Sequence, residues 1–139
     1  MIRNCSEIPL NDLKNQYNIN NIYNIYLYVD NKNKSEIYRI IENNKDRFKR
    51  GIYTLLQWRY NNELYGKEEF SKKSKGITAF KFKKRKNSNY RIYCKEIFDE
   101  SSLNVKKVIM VFAYNKKTQK IDKKLKQLIE KISKYDYEI

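Results

Sequence analysis

Val108–Tyr114 reads VIMVFAY, seven residues without a charge, flanked by Lys106-Lys107 before and Asn115-Lys116-Lys117 after. Unbroken rather than alternating apolarity predicts a strand, about 105–114, that is central in its sheet and covered on both faces. Two more strands are expected before it, at about 77–84 and 89–98. The segment KRKNSN, Lys84–Asn89, joins them as a basic, turn-rich tip. After the central strand, Ile121, Leu125, Leu128, Ile129 and Ile132 recur at helical spacing and predict an amphipathic helix over about 120–134.

The first half of the chain adds a strand and two helices. In NIYNIYLYVD, residues 21–30, Ile25, Leu27 and Val29 fall on one face, and Asn24, Tyr26 and Tyr28 on the other. The period becomes helical from Ser35, a reasonable N-cap. Ile37, Ile40, Ile41 and Phe48 form a stripe, and Gly51 suits a stop. A second stripe, Ile52, Leu55, Leu56 and Tyr60, makes 35–50 and 52–65 a helical hairpin, with Trp58 off that stripe as a core or helix–helix contact, or alternatively a base-stacking platform. GKEEFSKKSKG, residues 66–76, is a polar connection. The expected fold is α+β, β-α-α-β-β-β-α, with the helical hairpin and the C-terminal helix packed on a mostly antiparallel four-stranded sheet. Residues 1–21, rich in Asn, read as an extension or a short helix near Pro9–Tyr17. Residues 22–139 read as a single domain.

The chain has 139 residues, enough for one compact domain with a core. Thirty-one cations face sixteen acids, a net charge of +15. A codon bias toward A and T accounts for Lys over Arg but not for the excess of cations over acids. The charge therefore points to a polyanion, nucleic acid or an acidic protein. Cys5 and Cys94 make no zinc pattern, and there is no histidine to complete one. Two reduced thiols suit the cytosol. MIRNCSEIPLND lacks the apolar core of a signal peptide, and no apolar run approaches a membrane span. The expectation is a cytoplasmic protein with no metal, no cofactor and no membrane partner.

The charge is concentrated around the hairpin. Lys81–Arg91 holds six cations and no acid. Alternation sets Phe80 and Phe82 against Lys81 and Lys83 on one strand. On the other it sets Tyr90, Ile92 and Cys94 against Arg91, Tyr93 and Lys95. With the apolar faces on the helices, Lys81, Lys83, Arg91 and Tyr93 are expected to converge on an open face. Lys84, Arg85 and Lys86 sit at the tip, and Lys116, Lys117 and Lys120 extend the edge. Such a cluster repels itself unless a ligand compensates. Phosphates are the natural ligand: lysines supply point charges, Arg91 can bind bidentately, and Tyr93 can stack or hydrogen-bond.

NYRIYCKEI, then an apolar strand, then YNKKTQK before a C-terminal helix, resembles the RelE/ParE/HigB superfamily of toxin–antitoxin toxins. The resemblance spans about residues 22–134. It implies a metal-independent mRNA endoribonuclease acting in the ribosomal A site, in which the ribose 2′-hydroxyl attacks the adjacent phosphate and leaves a 2′,3′-cyclic phosphate. That chemistry needs a base, cations on the phosphorane and an acid for the leaving oxygen. Lys81-Phe82-Lys83 matches the family's K-x-K pair, Arg91 its phosphate-binding arginine, and Lys117 or Lys116 its basic residue after the last strand. With Tyr93, these form the expected catalytic set. Lys84, Arg85, Lys86, Lys95, Lys116 and Lys120 are the expected nucleic-acid contacts. The family's late tyrosine has no aligned counterpart, and Tyr93 or Tyr114 is the substitute at hand.

The partners implied are mRNA, the ribosome and a cognate antitoxin with an acidic neutralising segment. Two other functions fit the same residues. One is a non-catalytic protein of this fold that poisons gyrase or inhibits a nucleic-acid machine. The other is a simple nucleic-acid-binding module, whose affinity falls steeply with salt.

Overall fold

The computed structural model describes residues 2–11, 24–49, 52, 76–83, 89–98, 105–115 and 123–139. Its strands are β1 (Ile2–Ile8), β2 (Asn24–Asp30), β3 (Ile77–Lys83), β4 (Asn89–Phe98), β5 (Val105–Asn115) and β6 (Asp136–Glu138). The helices with defined bounds are α1 (Lys34–Asn43) and α2 (Lys123–Ser133). The strands form one sheet in the order β3-β4-β5-β2-β1-β6. The α+β class agrees with the sequence pattern. The four-stranded, mostly antiparallel sheet and its β-α-α-β-β-β-α order do not: among the described residues there are six strands, and β2–β5 and β1–β6 pair in parallel. The two added strands come from segments with no apolar face. Ile2–Ile8, expected as an extension outside the sheet, pairs with β2 on one side and β6 on the other.

β2 alternates as its sequence requires. Ile25, Leu27 and Val29 are buried, and Tyr26 is exposed on the opposite face. α1 buries Ile37 and Ile40 and ends at Asn44. There the Asn44 backbone N–H donates to the Ile41 carbonyl at 3.0 Å, and its side chain donates to the Ile40 carbonyl at 2.8 Å. Asn44 thus interrupts the helix expected over 35–50; helix resumes over 45–49 and brings in buried Phe48. Of the hairpin's second helix only Ile52, buried in the same core, lies within the described residues. Residues 53–65, Trp58 among them, lie outside, as does most of the helix expected near Pro9–Tyr17.

Both sheet faces are covered. On the first, Ile37, Ile40, Phe48 and Ile52 pack on Ile25, Leu27, Val29, Phe80, Ile92, Cys94, Val108 and Met110. On the second, α2 lays Leu125, Ile129 and Ile132 over Ile77, Ala79, Tyr93, Ile109 and Val111. β5 contributes to both cores, as its unbroken apolar run requires. Cys5 belongs to the second core and Cys94 to the first, so the sheet separates the two free thiols. Among the described residues no helix is long and apolar enough to cross a membrane.

A β-bulge interrupts β5. Tyr93 pairs with Phe112, but the next residue, Cys94, pairs with Met110, which leaves Val111 as the extra residue. Ile109, Val111 and Phe112 all join the second core, while Met110 and Ala113 join the first. Beyond the bulge the alternation is inverted. Strict period two from Val108 would send Tyr114 to the first face; the bulge sends it to the second. The Asn33 side chain, at the N-cap of α1, donates to the Val111 carbonyl at 2.7 Å and so satisfies the bulged backbone.

Candidate nucleic-acid interface

The register of β3 on β4 is set at its start. Gly76 has φ +80°, a conformation that a side chain disfavours, and its carbonyl accepts the Glu96 N–H at 2.7 Å. A Cβ there would lie 3.1 Å from the Glu96 carbonyl oxygen. From this anchor the strands pair Ile77↔Lys95, Ala79↔Tyr93, Lys81↔Arg91 and Lys83↔Asn89. β5 continues two of these rows, with Tyr93↔Phe112 and Arg91↔Tyr114.

Two consecutive same-face rows thus cross three strands. The first, Ala79–Tyr93–Phe112, lies under α2. Ala79 and Tyr93 are buried, and the Tyr93 ring stacks on Phe112 with centroids 5.0 Å apart and planes at 20°. The second, at positions Lys81–Arg91–Tyr114, comes next along the strands. Arg91 is half-buried, and Tyr114 is half-buried with part of its ring against the α2 core. Directly opposed residues share a face, so the backbone brings these three positions together.

The face is not open along its whole length, and this changes two assignments. Tyr93, expected beside the phosphate ligands, is fully buried beneath α2. The apolar stripe of α2 needs an apolar surface, and Tyr93 is part of it. Lys95, expected as a nucleic-acid contact, is turned to the C-terminus of α2. Its ammonium donates to the Ser133 carbonyl at 3.1 Å and to the Tyr135 carbonyl. The Ser133 carbonyl, at the last residue of α2, carries the negative end of the helix dipole, which suits a lysine, and the Tyr135 carbonyl lies just beyond it. Burial lowers the Lys95 pKa, against the opposing charge of Asp136. Of the expected set, Arg91 holds its position, and Lys81 and Lys83 are located by backbone register. The side chains of Lys81 and Lys83 lie outside the described residues, as do Lys84, Arg85, Lys86, Lys116, Lys117 and Lys120 altogether. Tyr114 joins the row because of a bulge that the unbroken apolar run of β5 conceals.

Two further charged clusters are structural. Asp30, buried at the end of β2, accepts from Arg3 Nε at 2.7 Å and Nη2 at 3.1 Å, from the Tyr137 hydroxyl at 2.7 Å and from the Lys32 N–H at 2.8 Å. Burial alone would raise the Asp30 pKa. The hydrogen bonds from Arg3 and Tyr137, the Arg3 charge and the Lys32 N–H together bring it below its ordinary value. The Arg3 guanidinium also lies 4.3 Å from the centroid of the Tyr135 ring. One side chain from β1 and one from β6 thus close on a carboxylate of β2. On the first face, Glu96 is paired with Lys106 at 3.9 Å, both side chains nearly inaccessible, and Glu96 Oε1 accepts no hydrogen bond. Burial pushes the Glu96 carboxyl up to about 7, against the favourable charge of Lys106. Among the described residues no group of three His, Cys, Asp or Glu is placed to hold a metal ion.

Compared with family models, with curated proteins and with solved structures, the chain matches none.

Proposed function

We propose that this chain is the toxin of a type II toxin–antitoxin system, a RelE/ParE/HigB-like endoribonuclease that cuts mRNA on the ribosome without a metal. The observation that carries the reading is the register. The YRIYC segment forms β4, with Arg91 directly opposite Lys81 of the KFK segment on one side. On the other side Arg91 opposes the end of the strand that leads into NKKTQK. Lys81 and Arg91, separate in sequence and each expected to touch the same phosphate, therefore meet in one transverse row. The net charge of +15 supports a polyanionic substrate.

In this reading Arg91 grips the scissile phosphate, and Lys81 and Lys83 stabilise charge that develops on its equatorial oxygens. The 2′-hydroxyl loses its proton to a base and forms a bond to phosphorus. The bond from phosphorus to the 5′-oxygen breaks, and that oxygen takes up a proton. Lys117 and Lys116 follow β5 and serve as further cations. Lys84, Arg85, Lys86 and Lys120 hold flanking phosphates. Tyr93 and Lys95 take no part, being committed to the core and to the end of α2. An antitoxin with an acidic segment relieves the cationic repulsion when the substrate is absent.

The test is induced expression followed by primer extension on cellular mRNA. New 5′ ends within codons are expected. Arg91→Ala should cut their yield by at least about a hundredfold, the usual scale for losing a transition-state charge donor. Purified protein with programmed ribosomes should cut equally well in EDTA. Arrested cells with intact mRNA would overturn the nuclease reading, and DNA-damage signalling in those cells would favour gyrase poisoning.

A further inference from the structure

The two helices carry their charge differently. On α2, Lys123, Lys124, Lys126, Lys131 and, just past its end, Lys134 are all exposed. None of the five ammonium groups makes an ion pair or a hydrogen bond. Glu130, the one acid of α2, stands four residues from Lys126 and from Lys134, a spacing that allows a pair, and pairs with neither. On α1 and just beyond it, Arg39 lies 4.0 Å from Glu36, Lys45 2.8 Å from Glu42, and Lys34 5.8 Å from the centroid of the Tyr38 ring. A codon bias toward A and T acts on both helices and does not separate them. Lys123 and Lys126, and Lys131 and Lys134, are like charges three residues apart, and the first turn of α2 holds no acid. Like charges at that spacing and cations in a first turn both weaken a helix. A local preference broken with no gain in packing points to a ligand that supplies the missing counter-charge.

The lysines also define a shape. At about 100° per residue, the buried Leu125, Ile129 and Ile132 hold one side of α2. Opposite them Lys123, Gln127, Glu130 and Lys134 form a crest. Lys126 lies on one flank of the crest, and Lys124 and Lys131 lie on the other. A convex ridge with cations on both flanks matches a groove with a phosphate rail on each wall. A single strand offers one rail, and a flat anionic surface meets the crest, where the acid sits. The major groove of B-form DNA, about 12 Å wide, admits a helix of about 10–12 Å diameter, whereas that of A-form RNA is too narrow. The eleven residues of α2 span about 16 Å, close to five base-pair steps. We infer that the outer face of α2 is a second polyanion surface, which docks along the major groove of duplex DNA. Lys124 and Lys131 meet one phosphate rail and Lys126 the other. The contact is to phosphates and carries no base preference of its own. It uses residues separate from the Lys81–Arg91 row and stands whether or not that row cuts RNA.

The experiment is fluorescence anisotropy of the full chain, across a salt series, with a labelled DNA duplex two helical turns long. The comparison probes are an RNA duplex of the same sequence and a single-stranded RNA, 2′-O-methylated throughout so that it cannot be cut. The parent should bind the DNA duplex more tightly than the RNA duplex. The triple variant Lys124→Gln, Lys126→Gln, Lys131→Gln should lose roughly a hundredfold in DNA affinity, and its plot of log affinity against log salt should be shallower by about 0.9 for each lysine removed. Its affinity for the single strand should stay close to the parent's. Its unfolding midpoint should hold or rise, because like-charge repulsion is removed; a fall would count against these lysines being unpaired. A second triple, Lys34→Gln, Arg39→Gln, Lys45→Gln, removes the same charge around α1 and should leave DNA affinity nearly as it was. Equal losses in the two triples would make net charge, not α2, the cause and overturn the inference. So would equal binding of the two duplexes, no DNA binding at low salt, or displacement of DNA by polyglutamate at matched charge, which would assign the ridge to an acidic protein. If the parent binds duplex DNA through α2 and ignores the single strand, the reading under Proposed function falls and this one stands.

Discussion

The second face of the sheet carries cations in two places, and their surroundings differ. Around Tyr135, Arg3 is spent on Asp30 and on the tyrosine ring, and Lys95 on the carbonyls that end α2. In the Lys81–Arg91–Tyr114 row the register gathers cationic positions with no acid between them. The first arrangement closes strands contributed by both termini of the described chain onto β2. The second concentrates charge where burial under α2 gives way. A net charge of +15 is therefore not a uniform coat: part of it is structural, and its removal should change stability and leave ligand binding alone.

Asp30→Ala breaks the clasp most severely. It would leave the Arg3 guanidinium largely buried without its counter-charge and would orphan the Tyr137 hydroxyl. Breaking a buried pair in this way costs about 3–5 kcal/mol, and urea unfolding should show that loss. RNA affinity per folded molecule should not change. If it falls as much as in Arg91→Ala, the two regions are coupled and the division between them fails. The parent clasp also has a pH signature. The folded pKa of Asp30 lies below its ordinary value of 3.8, so its stabilisation is present above that value and is lost as the pH falls through the folded one.

Glu96 sharpens the contrast, being a buried carboxyl without such a set of donors. Its folded pKa, about 7, lies above its ordinary 4.5. The fold therefore prefers it protonated. No penalty applies below about pH 4.5; one accumulates between there and 7, on the order of 2–3 kcal/mol. Stability measured by urea titration should decline across that window, the reverse of the Asp30 effect at lower pH. Glu96→Gln should flatten the decline. An unchanged slope in that variant would assign the window to other groups.

How much of this could be read in advance depended on whether a residue's environment is local. The apolar run of β5, the alternation of β2 and the stripe of α2 each carry their own pattern, and each formed close to its expected bounds. β1 and β6 carry none. In Ile2–Ile8 the first apolar residue is exposed, and the strand exists because β2 and β6 flank it and Asp30 draws in Arg3. Tyr93 was legible but misassigned. A central β5 covered on both faces, plus an amphipathic α2, already demands a second core, and Ile77, Ala79 and Tyr93 are its natural floor. An open basic face running the length of the hairpin contradicts that demand. The bulge leaves no mark, because an unbroken apolar run has no alternation for an extra residue to disturb. The position of Tyr114, and with it the completion of the row, had to come from the backbone.

Lys95 offers the smallest effect and the most direct comparison, since it lies on β4 four residues beyond Arg91 and shares its face. Lys95→Met keeps most of the aliphatic stem and removes the ammonium. Two charge-assisted hydrogen bonds to the end of α2 are lost, along with the interaction with the helix dipole, for a loss of about 1–2 kcal/mol in unfolding free energy. The plot of log affinity for RNA against log salt should be unmoved, because the ammonium is already committed to the Ser133 and Tyr135 carbonyls. Arg91→Ala should instead lower the steepness of that plot by about one, as expected for one phosphate contact. A reduced salt slope for Lys95→Met would mean that Lys95 leaves the helix to meet RNA. The end of α2 would then belong to the interface, with the cations around Tyr135 on call for ligand as well as for fold.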